Sequence, residues 1–298
     1  MIIQPFTASA LHDAARLAFP SLALGLAFFL LAAETLWRTT GDGAFRALYA
    51  FWAPIFGVCL LTGAAAVISA SDARGWSSSA ELLGAALLAA GAPGLAVVFA
   101  RRRVGQAAHM AATLATTAVL TATLVWIAGQ SAGPAAAAVD VADRAARDGA
   151  TAILATCLVV AGVSGWRLLR RPDEAASIIG LRLALGALAV IGAFELLTQA
   201  WAGLGLLVAA LSVWAAWLCW RRGGPERSGA FLGACLGMGL LGVFAAGAGW
   251  TASQAVGGFA TGGSTWLLDL VLALLGGGIS LRLAARGISP AAEPGRRE

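Results

Sequence analysis

Apolar runs of about 20 residues recur along almost the whole chain, and each is long enough to cross a hydrocarbon core of roughly 30 Å. Where no water is present to satisfy the backbone, such a run has to be a helix. The runs fall at 15–37, 47–70, 80–100, 107–129, 149–169, 178–198, 203–220, 229–250 and 265–283. They predict an all-α, polytopic transmembrane bundle of about nine helices occupying residues 1–288, with a disordered tail at 289–298 that contains Pro290 and Pro294. Composition excludes the water-soluble classes. Of 298 residues 59% are hydrophobic and 12% charged, where a soluble domain carries about a quarter charged residues.

The formal charge of +5 would suggest nucleic acid in a soluble protein. Here all 20 basic residues are arginines, and most sit in short connections between apolar runs. That placement orients a membrane protein rather than binding nucleic acid. With the N-terminus outside and the C-terminus in the cytoplasm, the inner side holds Arg38, Arg46, Arg101, Arg102, Arg103, Arg167, Arg170, Arg171, Arg182, Arg221, Arg222, Arg227, Arg282, Arg286, Arg296 and Arg297, and the outer side only Arg16, Arg74, Arg144 and Arg147. The positive-inside rule favours that orientation. Residues 1–12 lack a basic n-region, so the first run reads as a retained helix and not a cleaved signal. Cys59, Cys157, Cys219 and Cys235 all lie in apolar segments without paired spacing, which predicts small packing residues and neither disulfides nor a metal site. The connection at 199–202 is short enough to predict a tight hairpin. The Ala-rich stretch 131–148, with Asp140, Asp143 and Asp148, predicts a short surface helix.

Ionisable residues inside membrane spans are costly and default to functional candidates. They are Arg16, Glu34, Glu81, Arg182, Glu195 and Asp269, with His109 and Gln254 as polar additions. Arg16, Glu81, Glu195 and Asp269 fall toward the outer ends of their helices. Two readings stand: each snorkels to the interface by itself, or they form, with Gln254, one buried polar cluster. Gly233 and Gly237, four residues apart, predict a seam at which helix backbones approach closely.

The stretch from Leu17 through Pro20 and Gly25 to Phe29, followed by Glu34-Thr-Leu-Trp37, Thr40-Gly-Asp42, Phe51-Trp52 and Thr62-Gly63, resembles the first two helices of subunit I of cytochrome bd quinol oxidases. Further matches keep the same order: Arg103 to Met110 around His109, Val159 to Arg170 with Gly162 and Trp166, and Arg221 through Gly249-Trp250. The resemblance covers most of the chain and implies that family's nine-helix, N-out arrangement.

It also implies where the family's haem ligands would fall, and the residues there are different. The first-helix histidine position is Arg16, the fifth-helix histidine position is Arg147, and the methionine position is Trp201. Glu81 stands at the first of two paired glutamates and Ala89 near the second, while Gln254 replaces an eighth-helix glutamate. A guanidinium stays protonated and has no lone pair to give iron. The chain contains two histidines, His12 and His109. His12 lies one helical turn before Arg16 and could share its pocket; His109 matches a family histidine that is not an axial ligand, which implies a structural hydrogen bond. The long loop that binds quinol in the family is reduced to 199–202.

The expectation is therefore a haem-poor, subunit I-like component of a bd-type respiratory quinol oxidase complex in a bacterial-type plasma membrane. It would work as a structural partner of the other subunits in a heterodimer, with no cofactor. One alternative is a divergent subunit that binds haem through His12, Glu81 or Met238 and takes part in electron transfer from quinol; another is a small-solute or proton pathway. Arg16 is expected to pair with Glu81 in the place a haem occupies in the family.

Overall fold

The computed structural model describes residues 8–74, 85, 87–91, 93–94, 105–132, 138–197, 202–223 and 228–255. For His12, Arg16, Glu195 and Gln254 the description extends to the backbone. Every regular element among the described residues is helical. Seven long helices follow one another: α1 (Ala8–Thr40), α2 (Gly43–Arg74), α3 (Gln106–Ala132), α4 (Ala138–Arg170), α5 (Ala175–Leu197), α6 (Ala202–Gly223) and α7 (Ser228–Ala255). The described residues between 85 and 94 are helical as well. Each long helix covers one of the apolar runs, α5 to within one residue of its end, and the others overshoot theirs, because a helix can continue past the hydrocarbon into the interface. The run at 265–283, the tail at 289–298 and the hairpin connection at 199–201 lie outside the described residues.

Six of the helices are long and apolar enough to cross a membrane: Ala18–Thr40, Gly43–Ala65, Gln106–Gly129, Ala138–Arg170, Ala175–Phe194 and Leu204–Arg222. Their outward faces are apolar. Val190, Phe194 and Leu197 on α5 and Leu240 on α7 are all more than 60% exposed. Such surfaces suit contact with lipid rather than water, and the chain is a multi-pass membrane protein.

The turn between α1 and α2 shows how short the local signals are. Gly41 takes the left-handed conformation, with φ 71°, and its N–H closes onto the Trp37 carbonyl at 2.9 Å, ending α1. Asp42 then accepts a 2.8 Å bond from the Ala44 N–H through Oδ1, capping the start of α2. At 131–148 the structure departs from expectation. In place of a separate surface helix, residues from Ala138 onward form the first turns of α4. Asp140 lies in the first turn, where the helix dipole favours it, and an Asp143–Arg147 ion pair at i, i+4 continues the ladder.

α4 is the central helix, packed against α1, α3, α5 and, most extensively, α7. Its seam with α7 is built on glycine. A Cβ on Gly162 would lie 2.5 Å from the Cys235 carbonyl oxygen and 2.6 Å from the Gly239 nitrogen, and one on Gly242 would lie 2.6 Å from the Ala155 carbonyl oxygen. A Cβ on Gly233, by contrast, would meet nothing within 4 Å. Among the described glycines, the close approach of α7 to α4 is made at Gly162 and Gly242. On the other side of α4, Gly25 of α1 lies directly against Ala152 and Thr156. α1 meets α2 where Gly63 sits against the Pro20 ring, a Cβ there being 3.3 Å from the ring carbons.

A clamp fixes the connection from α4 to α5. Arg167 donates through Nε to Glu174 Oε2 at 3.0 Å and through Nη2 to Oε1, while Ser177 Oγ donates to Oε2 at 2.6 Å. The Arg167 guanidinium also lies 3.7 Å over the Phe51 ring of α2. The hydrogen bonds from Arg167 hold the Glu174 carboxyl below its ordinary value of 4.5. A lowered carboxyl contributes stability that is present above its unfolded value and lost as pH falls through the folded one. We expect the thermal midpoint of the wild type to exceed that of Glu174→Gln at pH 7, and the difference to shrink as pH falls below 4.5. A difference that stays constant across that range would refute the link.

Candidate functional site

The one extended polar constellation inside the described bundle centres on Glu34. It lies in the last two turns of α1, and its side chain is 0% exposed. Arg38, one turn further on the same face, donates to Oε1 through Nη2 at 2.6 Å and Nε at 3.1 Å. Arg38 Nη2 also donates to the Gln106 carbonyl at the start of α3. Three residues into α3, the His109 Nδ1 lies 2.9 Å from Glu34 Oε1. One turn beyond, Thr113 Oγ1 donates to Oε2 at 2.7 Å.

With the Thr113 proton given to the carboxylate, the Tyr49 hydroxyl of α2 is the donor in its 3.3 Å contact with Thr113 Oγ1. The Tyr49 ring meets the imidazole edge-on, centroids 5.4 Å apart. His109 is 5% exposed, Thr113 3% and Tyr49 0%. A carboxylate held by Arg38 is an acceptor only, so the His109 Nδ1 carries the proton in this contact. The arrangement ties the end of α1 and the starts of α2 and α3 into one charge-assisted network.

The network lies at the arginine-rich end of the bundle. The polar cluster predicted from the sequence belongs at the other end, and the structure leaves it open. The side chains of Arg16, Glu195, Gln254 and His12 are not described, and Glu81, Trp201 and Asp269 lie outside the described residues. Arg147 is described. Its side chain is 68% exposed and paired with Asp143 on its own helix. Sequence reasoning placed Glu34 and His109 within spans but did not join them. The spacing of Glu34 and Arg38, a carboxylate one turn from an arginine inside an apolar run, was the available signal.

A haem needs an axial donor facing a cavity. The His109 Nδ1 donates to Glu34, a bond of the kind that also orients a ligating imidazole, both Glu34 oxygens accept hydrogen bonds, and the Met238 thioether is 2% exposed within the hydrophobic core. An open groove between α3 and the first turns of α4 is lined by Thr121, Leu124, Val125, Val141 and alanines, without a nitrogen or sulfur donor.

No protein-family model and no curated protein matches this sequence. The fold is nonetheless a known one. A chain of the bd oxidase from Geobacillus thermodenitrificans matches with a TM-score of 0.62, over 93% of this chain and 98% of that one, at 11% identity. The class is thus a membrane-embedded helical bundle of the cytochrome bd type. Its helical arrangement is that of the bd oxidase chain it matches.

Proposed function

We propose that this chain is a haem-poor, subunit I-like helical partner within a bd-type respiratory quinol oxidase complex of a bacterial plasma membrane. The observation that carries the reading is the His109–Glu34 contact. It makes one of only two histidines in the chain a donor to a carboxylate on another helix, a bond that fixes α3 to α1. Arg16, Arg147 and Trp201 stand where the resemblance places ligands, which points the same way. What such a subunit offers is a large, rigid apolar face in lipid, against which a second subunit can pack without losing hydrogen bonds. Its partners would be the other subunits of the complex, with quinone handled by them.

Affinity purification of the tagged chain from native membranes, with a pyridine haemochrome assay on the isolated chain and on the complex, tests this. We expect co-purifying oxidase subunits and less than one haem per isolated chain. One or more haems per chain would favour the divergent, haem-binding subunit instead. A chain that purifies alone and haem-free would favour the solute or proton pathway.

The proposed sidedness has its own test. Cysteines introduced in a cysteine-free background at Arg102 and Arg222 are expected to be unreactive toward an impermeant maleimide in intact cells and reactive in opened membranes, because moving either charge across the hydrocarbon costs several kcal/mol. Labelling of intact cells would reverse the orientation.

A further inference from the structure

Two guanidiniums meet over one indole at the arginine-rich end of α5 and α6. Arg182 of α5 lies 5.5 Å from the Trp217 ring centroid, and Arg221 of α6 lies 5.4 Å from it. Trp217 is 2% exposed, and its Nε1 has no hydrogen-bond partner among the described residues. The indole is therefore an apolar platform, held by packing, on which both cations rest. Both arginines are exposed. Among the described residues neither has a carboxylate partner, unlike Arg38, Arg147 and Arg167.

Arg182 is also set deep. It is seven residues into α5, or about 10 Å along the helix axis, inside a segment apolar enough to span a membrane. Like charges gathered on one ring repel, and they do so more strongly where water is scarce. Cation–π attraction holds each to the indole but cancels no charge. What the position lacks is an anion, and the medium beside it is lipid.

We propose that the α5–α6 surface at this end binds the phosphate of an anionic phospholipid. Arg182 and Arg221 are the ligands, Trp217 is the platform, and the acyl chains lie along the exposed apolar faces of the two helices, which include Val190 and Leu211. Guanidinium is suited to the role because its planar donors match phosphate oxygens while its face stacks on the ring.

The full-length chain in mild detergent is offered phosphatidylglycerol, phosphatidylcholine or inorganic phosphate. Retained lipid is read by native mass spectrometry and stability by the thermal midpoint. We expect phosphatidylglycerol alone to be retained and to raise the midpoint. Retention should weaken roughly fivefold in Arg182→Gln or Arg221→Gln and roughly thirtyfold in the double variant. Arg147→Gln, a charge change at the opposite end, should leave it unaltered. Should the double variant fail to fold, the single variants decide. Equal retention of phosphatidylcholine, undiminished binding in the arginine variants, or a midpoint shift reproduced by inorganic phosphate would each overturn the proposal, the last by showing a site for free anions.

Discussion

Glu34→Ala should destabilise the protein by roughly 3 to 5 kcal/mol, the cost of removing one partner from a buried, hydrogen-bonded ion pair. The loss reaches beyond the carboxylate. Arg38, His109 and Thr113 all donate to it, and three donors from two helices would be left facing a cavity that water cannot readily fill. Glu34→Gln keeps an acceptor oxygen but not the charge, and should cost about 1 to 3 kcal/mol, the range for an imperfectly satisfied buried group. His109→Ala removes one donor and leaves the carboxylate still held by Arg38 and Thr113, so its effect should be smaller than that of Glu34→Ala. The combination Glu34→Ala with His109→Ala should fall short of the sum of the two, because residues in one network couple. Thermal midpoints in one detergent, with the four proteins compared, provide the measurement. Additive effects would mean that Glu34 and His109 do not act as a unit.

Gly162→Leu should part α4 from α7. Its Cβ would lie 2.5 Å from the Cys235 carbonyl oxygen, 2.6 Å from the Gly239 nitrogen and 2.8 Å from the Gly239 Cα. All three are backbone atoms, so no rotamer change can relieve the clash and the helices themselves have to move. Even Gly162→Ala should cost about 1 to 3 kcal/mol, as overpacking does, with leucine costing more. In lipid the loss is not recovered by a hydrophobic effect between helices, because close packing is most of what holds them. Gly233→Ala is the internal control. Its added methyl meets open space, and it should change stability by no more than about 0.5 kcal/mol. Equal effects at Gly162 and Gly233 would show that the α4–α7 seam is not where the structure puts it.

The membrane-spanning helices were legible in the sequence because the constraint behind them is blunt. A run of about 20 apolar residues has no other stable form in a bilayer, and each of α1 through α7 coincides with one of the predicted runs to within a residue or overshoots it. The end of α1 was legible for a local reason, since Gly41 and Asp42 carry turn and cap chemistry in their own side chains or lack of them. The separate surface helix at 131–148 was misread because nothing in that stretch stops a helix once it has started. No glycine or proline lies between Ala138 and Arg147, and the helix runs on from there into the membrane.

What the sequence determined by itself was the number of apolar runs, their helical form and the gathering of arginines at one end of the bundle. Which faces of those helices meet was decided only in the tertiary structure. In a water-soluble helix an apolar stripe marks the buried side, but these helices are apolar nearly all round, since lipid and protein interior are equally acceptable to leucine. That is why the close approach at Gly162 and Gly242 could not be read from the spacing of glycines along one helix. It is also why Glu34 found a partner 75 residues away in His109, a pairing no periodicity could announce. Only the close packing of α1, α2 and α3 makes leaving that carboxylate unpaired too costly.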